Sequence, residues 1–144
     1  MRIIKLMVGV FSVFCAGLLF AADADKDLAT FEGTWTLSSG EAEGKPLTEK
    51  QLKGGKLMIK DGQYSVTMPD KDVVTGTQKI DSTKTPKQID ITDYSGPSKG
   101  KTHLGIYEFK EGEFRCVFSA AGQDRPSKFS TGSGQWLHVW KKAK

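Results

Sequence analysis

The stretch His103-Leu-Gly-Ile-Tyr-Glu-Phe-Lys110-Glu-Gly-Glu-Phe-Arg-Cys-Val-Phe-Ser119 decides how the rest of the chain is read. Two alternating runs flank Glu111-Gly112, a turn of the kind that joins antiparallel strands. Placing Lys110 opposite Glu113 fixes every other pair by counting outward, because side chains alternate along a strand. Phe109 then faces Phe114, Tyr107 faces Cys116 and Gly105 faces Phe118 on one side. The other side carries Glu108 opposite Arg115 and Ile106 opposite Val117. One register thus yields two opposite-charge pairs and an aromatic ladder, the cross-strand contacts that stabilise sheets. The apolar side is thick and must be covered, so this hairpin is the centre of a larger β structure.

Working outward, Lys56-Leu-Met-Ile-Lys60 and Gln63-Tyr-Ser-Val-Thr-Met68 flank Asp61-Gly62, the strongest short hairpin signal in the chain. Ile59 meets Tyr64 and Leu57 meets Val66 on the inner face, while Lys56, Lys60, Gln63 and Thr67 face water. Phe31 to Ser38 reads as a first strand with Trp35 and Leu37 on one face, preceded by a polar, fraying end over residues 25–29. Leu47 to Leu52 forms one helical turn capped by Thr48. Weaker strands run from Val73 to Asp81 and Gln88 to Tyr94, with Val74, Ile80, Ile89 and Ile91 inward. Gln135 to Lys141 is the last strand, and both of its faces are apolar. Leu137 and Val139 are expected to fill the interior. Trp136 and Trp140 then point outward, over the connection after the first strand or toward a protein partner.

Eight short strands with turn signals about every 8–12 residues predict an all-β fold, an eight-stranded up-and-down antiparallel barrel. The connections at Asp61-Gly62, Ser82–Lys87 and Glu111-Gly112 are short or moderate and alternate with the long ones. In a meander, alternate connections lie at opposite ends. The barrel is therefore expected to be a cup, nearly closed at one end, with long loops round its mouth.

Residues 1–24 read as an address rather than as fold. Arg2 and Lys5 precede an apolar-to-small run from Leu6 to Phe20. Ala22-Asp-Ala24 supplies the small residues for signal-peptide cleavage after Ala24, with Ala21 or Ala22 as alternatives. The run is short for a membrane span, and Cys15 lies inside it behind Phe14, not where a lipid anchor attaches. The expected mature protein, residues 25–144, is a single soluble domain, periplasmic or extracellular, with no stable membrane anchor. Of 21 bases and 17 acids, cleavage removes Arg2, Lys5 and Asp23, leaving 19 against 16 and a net charge of +3. That mild balance, without a basic block, argues against a nucleic-acid partner. Cys116 alone survives cleavage, so no internal disulfide forms, and on the aromatic face it is a small buried apolar residue.

Gly33-Thr-Trp35, opening the first strand, resembles the G-x-W start of lipocalin-like barrels. A longer set of stretches carries a broader resemblance: Phe31–Trp35, Glu43–Leu47, Pro86–Ile91, Ser95–Lys101, Leu104–Tyr107 and Asp124–Ser130. In that order they resemble a family of small exported lipocalin-like (calycin-type) domains of unknown function, abundant in planctomycete bacteria. The resemblance covers nearly the whole mature chain and implies the barrel fold and export, but no activity and no functional residues. In lipocalins a basic residue near the last strand packs over the first-strand Trp, and here Lys141 or Lys142 would do so.

No catalytic constellation is legible, and no cofactor or metal is implied. Gly96-Pro-Ser-Lys-Gly-Lys101-Thr102 looks like a phosphate loop one residue short, but a strand rather than a helix follows it. His103 and His138 are the only histidines, too few for a histidine-rich metal site. The carboxylate pairs Asp90/Asp93, Asp70/Asp72 and Glu41/Glu43 lie in or near turns and are expected to be solvated. What remains is a binding module for a small apolar or amphipathic molecule. Tyr107, Phe109, Phe114 and Phe118 would line the interior. Lys99, Lys101 and Arg125 would form a basic rim beside an acidic group of the ligand, unless Arg125 pairs with Asp124 or loop carbonyls. The alternatives are an interaction or envelope-stabilising domain with a filled core and, last, an enzyme.

Overall fold

The computed structural model describes residues 26–144; the expected leader, its cleavage site and Cys15 lie outside them. Their strands are β1 (Gly33–Ala42), β2 (Lys45–Pro46), β3 (Lys56–Lys60), β4 (Gln63–Thr67), β5 (Val74–Asp81), β6 (Lys87–Asp93), β7 (Thr102–Lys110), β8 (Glu113–Ser119) and β9 (Gln135–Lys142). Two short helical segments accompany them, α1 over residues 26–31 and α2 (Glu49–Leu52). All strand pairs are antiparallel; β1 pairs with β2, β3 and β9, and every other pair joins sequence neighbours, so eight strands close into a barrel with β2 as a flap on β1. This is the up-and-down, lipocalin-like barrel expected. Closure leaves no long edge to pair with other chains.

The central hairpin has the register that its charges and aromatics demand, from Lys110 opposite Glu113 to Gly105 opposite Phe118. Its turn residues Glu111 and Gly112 have φ of 54° and 77°, and Asp61 and Gly62 in the β3–β4 hairpin have 51° and 75°. Two successive positive φ values give a turn whose twist matches that of the strands, which is why Gly occupies the second position. Before α2, Thr48 caps the helix reciprocally with Gln51, as its hydroxyl and the glutamine side chain each bond the other's backbone N–H.

Residues 26–31 are ordered as a helical plug rather than a fraying end. Asp27 is buried, accepting from Lys87 Nζ at 2.8 Å and the Tyr107 hydroxyl at 2.6 Å. Phe31, with no exposed surface, belongs to the plug and not to β1. Its ring sits 5.1, 4.8 and 5.2 Å from those of Tyr107, Phe109 and Phe114. The tight-turn end of the cup is therefore sealed by the segment that precedes β1. Trp35 ties the two together by donating its indole N–H to the Phe31 carbonyl at 2.8 Å. Lys142 lies 4.6 Å over the Trp35 ring and donates to the Glu32 carbonyl, taking the role expected of Lys141 or Lys142.

The last strand faces the opposite way from expectation. β8 pairs Phe118 with Trp136, Cys116 with His138 and Phe114 with Trp140, so the tryptophans share the inner face with the aromatic ladder. Leu137 and Val139 join Ile106 and Val117 on the outer wall, where Phe129 covers them. The long connection 120–134 supplies that cover. It runs down the outside of the wall, held by Arg125 and by Thr131, whose hydroxyl and backbone N–H donate to Glu41 at 2.5 and 3.0 Å. With a second apolar layer available outside, the larger residues of β9 are free to fill the barrel. Trp136 and Trp140 therefore point into the barrel and not outward.

Candidate functional site

Eight strands leave an interior just wide enough for side chains or for one small ligand, depending on what points in. Here Phe31, Tyr107 and Phe109 fill the closed end. Above them lies a cavity of about 420 Å³, running from Phe114 and Trp140 past Ile89, Ile91 and Val66 to Met68, Ser98 and Ala120 at the mouth. Of the four aromatics expected to line the interior, Phe114 and Phe118 do line this cavity, whereas Tyr107 and Phe109 form the packed floor beneath it.

One polar cluster interrupts the apolar lining. The Tyr64 hydroxyl donates to Asp93 Oδ1, and His103 Nε2 stands 4.0 Å from Asp93 Oδ2. The other ring nitrogen of His103, Nδ1, lies 3.2 Å from the Ser119 carbonyl oxygen, and Trp136 packs edge-on against the ring at 5.1 Å. Tyr64 reaches Asp93 by passing over β5, where Gly76 pairs with Tyr64 on one side and Asp93 on the other. A Cβ on Gly76 would strike both the Tyr64 hydroxyl and the Thr92 carbonyl. Burial, with the bond to Asp93 added, pushes the Tyr64 phenol well above its ordinary range, so it stays a donor.

Two further groups shape the lining. Burial lowers His138 to about 4, so it is neutral at pH 7, and it packs edge-on to Trp140 at 5.6 Å. Gln78 Nε2 is buried without a hydrogen-bond partner among the described residues, an unmet donor on the cavity wall. Burial also pushes the Cys116 thiol up to about 12. Cys116 is therefore expected to resist a thiol reagent at pH 8 in the folded protein and to react fully in urea, as read by mass. Equal labelling rates in both states would contradict its place in the wall.

The expected basic rim is not assembled. Lys99 and Lys101 lie exposed in the β6–β7 connection, whose Ser98 alone reaches the cavity. Arg125 is on the outer wall, donating from Nη1 to Asp90 Oδ1 at 2.6 Å and to the Gly105 carbonyl at 2.7 Å. It pairs with Asp90 rather than with Asp124. The Asp90/Asp93 pair is split by strand alternation, Asp90 facing out and Asp93 in, and only one of them meets the Arg. The phosphate-like loop 96–102 leads into β7 without a helix. Among the described residues no group of three or more His, Cys, Asp or Glu side chains is placed to hold a metal ion.

Sequence reading missed Tyr64, Gln78, Asp93, His103 and Trp136 as site residues. The signal that points to Tyr64 and Asp93 is Gly76, a lone glycine amid an alternating strand, which marks a close approach across the sheet. Comparisons with protein-family models, with curated proteins and with solved structures return no match for this chain.

Proposed function

We propose that this chain is an exported binding module that carries one small, largely apolar molecule inside the barrel. The observation that carries the reading is the cavity of about 420 Å³, apolar except for a few convergent polar groups. That volume is in the range of small-ligand sites, and such placed polar groups orient what binds. Export rests on the apolar leader followed by Ala22-Asp-Ala24 and on the resemblance to the exported lipocalin-like family, whose membership we propose with it. The polar cluster has no nucleophile aligned with a base, which favours binding over catalysis.

Nile red, a neutral dye small enough for the cavity, tests the reading. It is expected to bind one per chain with a blue-shifted emission. Val66→Phe, which fills the cavity from β4, is expected to weaken binding about tenfold, or about 1.4 kcal/mol, with the far-UV spectrum unchanged. Dye binding that is absent, or indifferent to Val66→Phe, would favour the interaction domain with a filled core.

A further inference from the structure

Resting on the reading of the cavity as a binding site, the chemistry of its lining goes further and names the class of ligand. Among the described residues that line it, Asp93 is the one carboxylate, and no lysine or arginine joins it. The only other titratable nitrogens in the wall are those of His103 and His138, and His138 is neutral at pH 7.

The hydrogen-bonding roles around Asp93 leave a defined gap. A carbonyl oxygen can only accept, so the Ser119 carbonyl places the His103 proton on Nδ1. With a single proton on the ring, Nε2 is an acceptor facing the Asp93 Oδ2 acceptor across 4.0 Å, and a second ring proton is what a ligand donor would have to displace there. Two acceptors opposite one another are satisfied by a donor with more than one hydrogen placed beside both. Tyr64 already occupies Oδ1 and cannot turn to serve Oδ2 as well. The rings of Trp136, Phe118 and Tyr64 surround this point, and an aromatic face, unlike an aromatic edge, attracts a cation.

We propose that the cavity selects apolar amines, receiving a ligand ammonium between Asp93 Oδ2 and His103 Nε2 and its hydrocarbon body against Phe118, Trp136 and Trp140. This reverses the charge that Lys99, Lys101 and Arg125 suggest in the sequence. Arg125 is spent on Asp90 at the outer wall, and Lys99 and Lys101 stand in water, where charges act weakly. Asp93, shielded within the wall with 14 % of its side chain exposed, acts on a bound ligand far more strongly than they do.

The test compares octylamine, octanol and octanoate at pH 7 by isothermal titration, ligands of one chain length that differ only in head group. Octylamine is expected to bind at least about tenfold more tightly than octanol, and octanoate more weakly than octanol. Asp93→Asn, which keeps an acceptor for Tyr64, is expected to abolish the preference for octylamine over octanol. The wild-type series decides even where Asp93→Asn fails to fold. Octanol binding as tightly as octylamine, or octanoate binding best, overturns the amine proposal and leaves the apolar binding site standing. Failure of all three to bind overturns both.

Discussion

Phe31→Ala is expected to lower the free energy of unfolding by about 3–5 kcal/mol, the cost of removing a fully buried aromatic ring, read as a shift of the urea midpoint at unchanged slope. The ring has no exposed surface and touches Tyr107, Phe109 and Phe114 at once, so its loss empties the centre of the barrel floor. Relaxation is restricted, because the neighbouring Tyr107 is held by its own bond to Asp27. Leu28→Ala is the matched control: Leu28 lies on the same segment but is 39 % exposed, and its truncation is expected to cost within about 0.5 kcal/mol. If the two variants unfold at the same midpoint, residues 26–31 do not plug the barrel.

The second large effect comes from adding a single methyl group. Gly76→Ala is expected to cost about 2.5–6 kcal/mol, combining an overpacking penalty of about 1–3 with loss of a hydrogen bond to a charged group worth about 1.5–3. The added Cβ meets the Tyr64 hydroxyl and the Thr92 carbonyl, and the carbonyl belongs to the sheet and cannot swing aside. Tyr64→Phe removes the hydrogen bond without the clash and is expected to cost roughly half as much. Urea melts of the two variants separate the terms. A Gly76→Ala protein as stable as the parent would show that Tyr64 does not cross β5 at that point.

The architecture was legible where local chemistry leaves one solution. Lys110 and Glu113 across a two-residue turn permit a single register, and Asp61-Gly62 does the same for β3 and β4, so both hairpins are found as read. Alternating loop lengths placed the open end correctly. β9 was different, because Trp136, His138 and Trp140 on one parity compete with Leu137 and Val139 on the other. Periodicity cannot choose between two apolar faces, and the long connection before β9 transmits no register from β8. The deciding partner is Phe129, which a loop sequence does not announce as a cover.

The candidate site was half legible for a related reason. Phe114 and Phe118 follow from the hairpin alone. Tyr64 and Asp93 are 29 residues apart, and Asp27 bonds partners 60 and 80 residues away. Each looks like an ordinary polar residue near a turn until the sheet closes. Arg125 shows the converse: its neighbour Asp124 and nearby loop carbonyls are partners that sequence can name, whereas Asp90, 35 residues away on β6, is not.

The seam between the first and last strands is what turns this sheet into a vessel. Trp35 lies opposite Lys142, and Ala42 opposite Trp136, so the wall closes only when β9 is seated against β1. Until then the first strand has an unmatched flank and the aromatic lining stands open to water, a state prone to sticking. Without β9 the sheet is thus a gutter rather than a vessel, and watertightness arrives all at once with its eight residues.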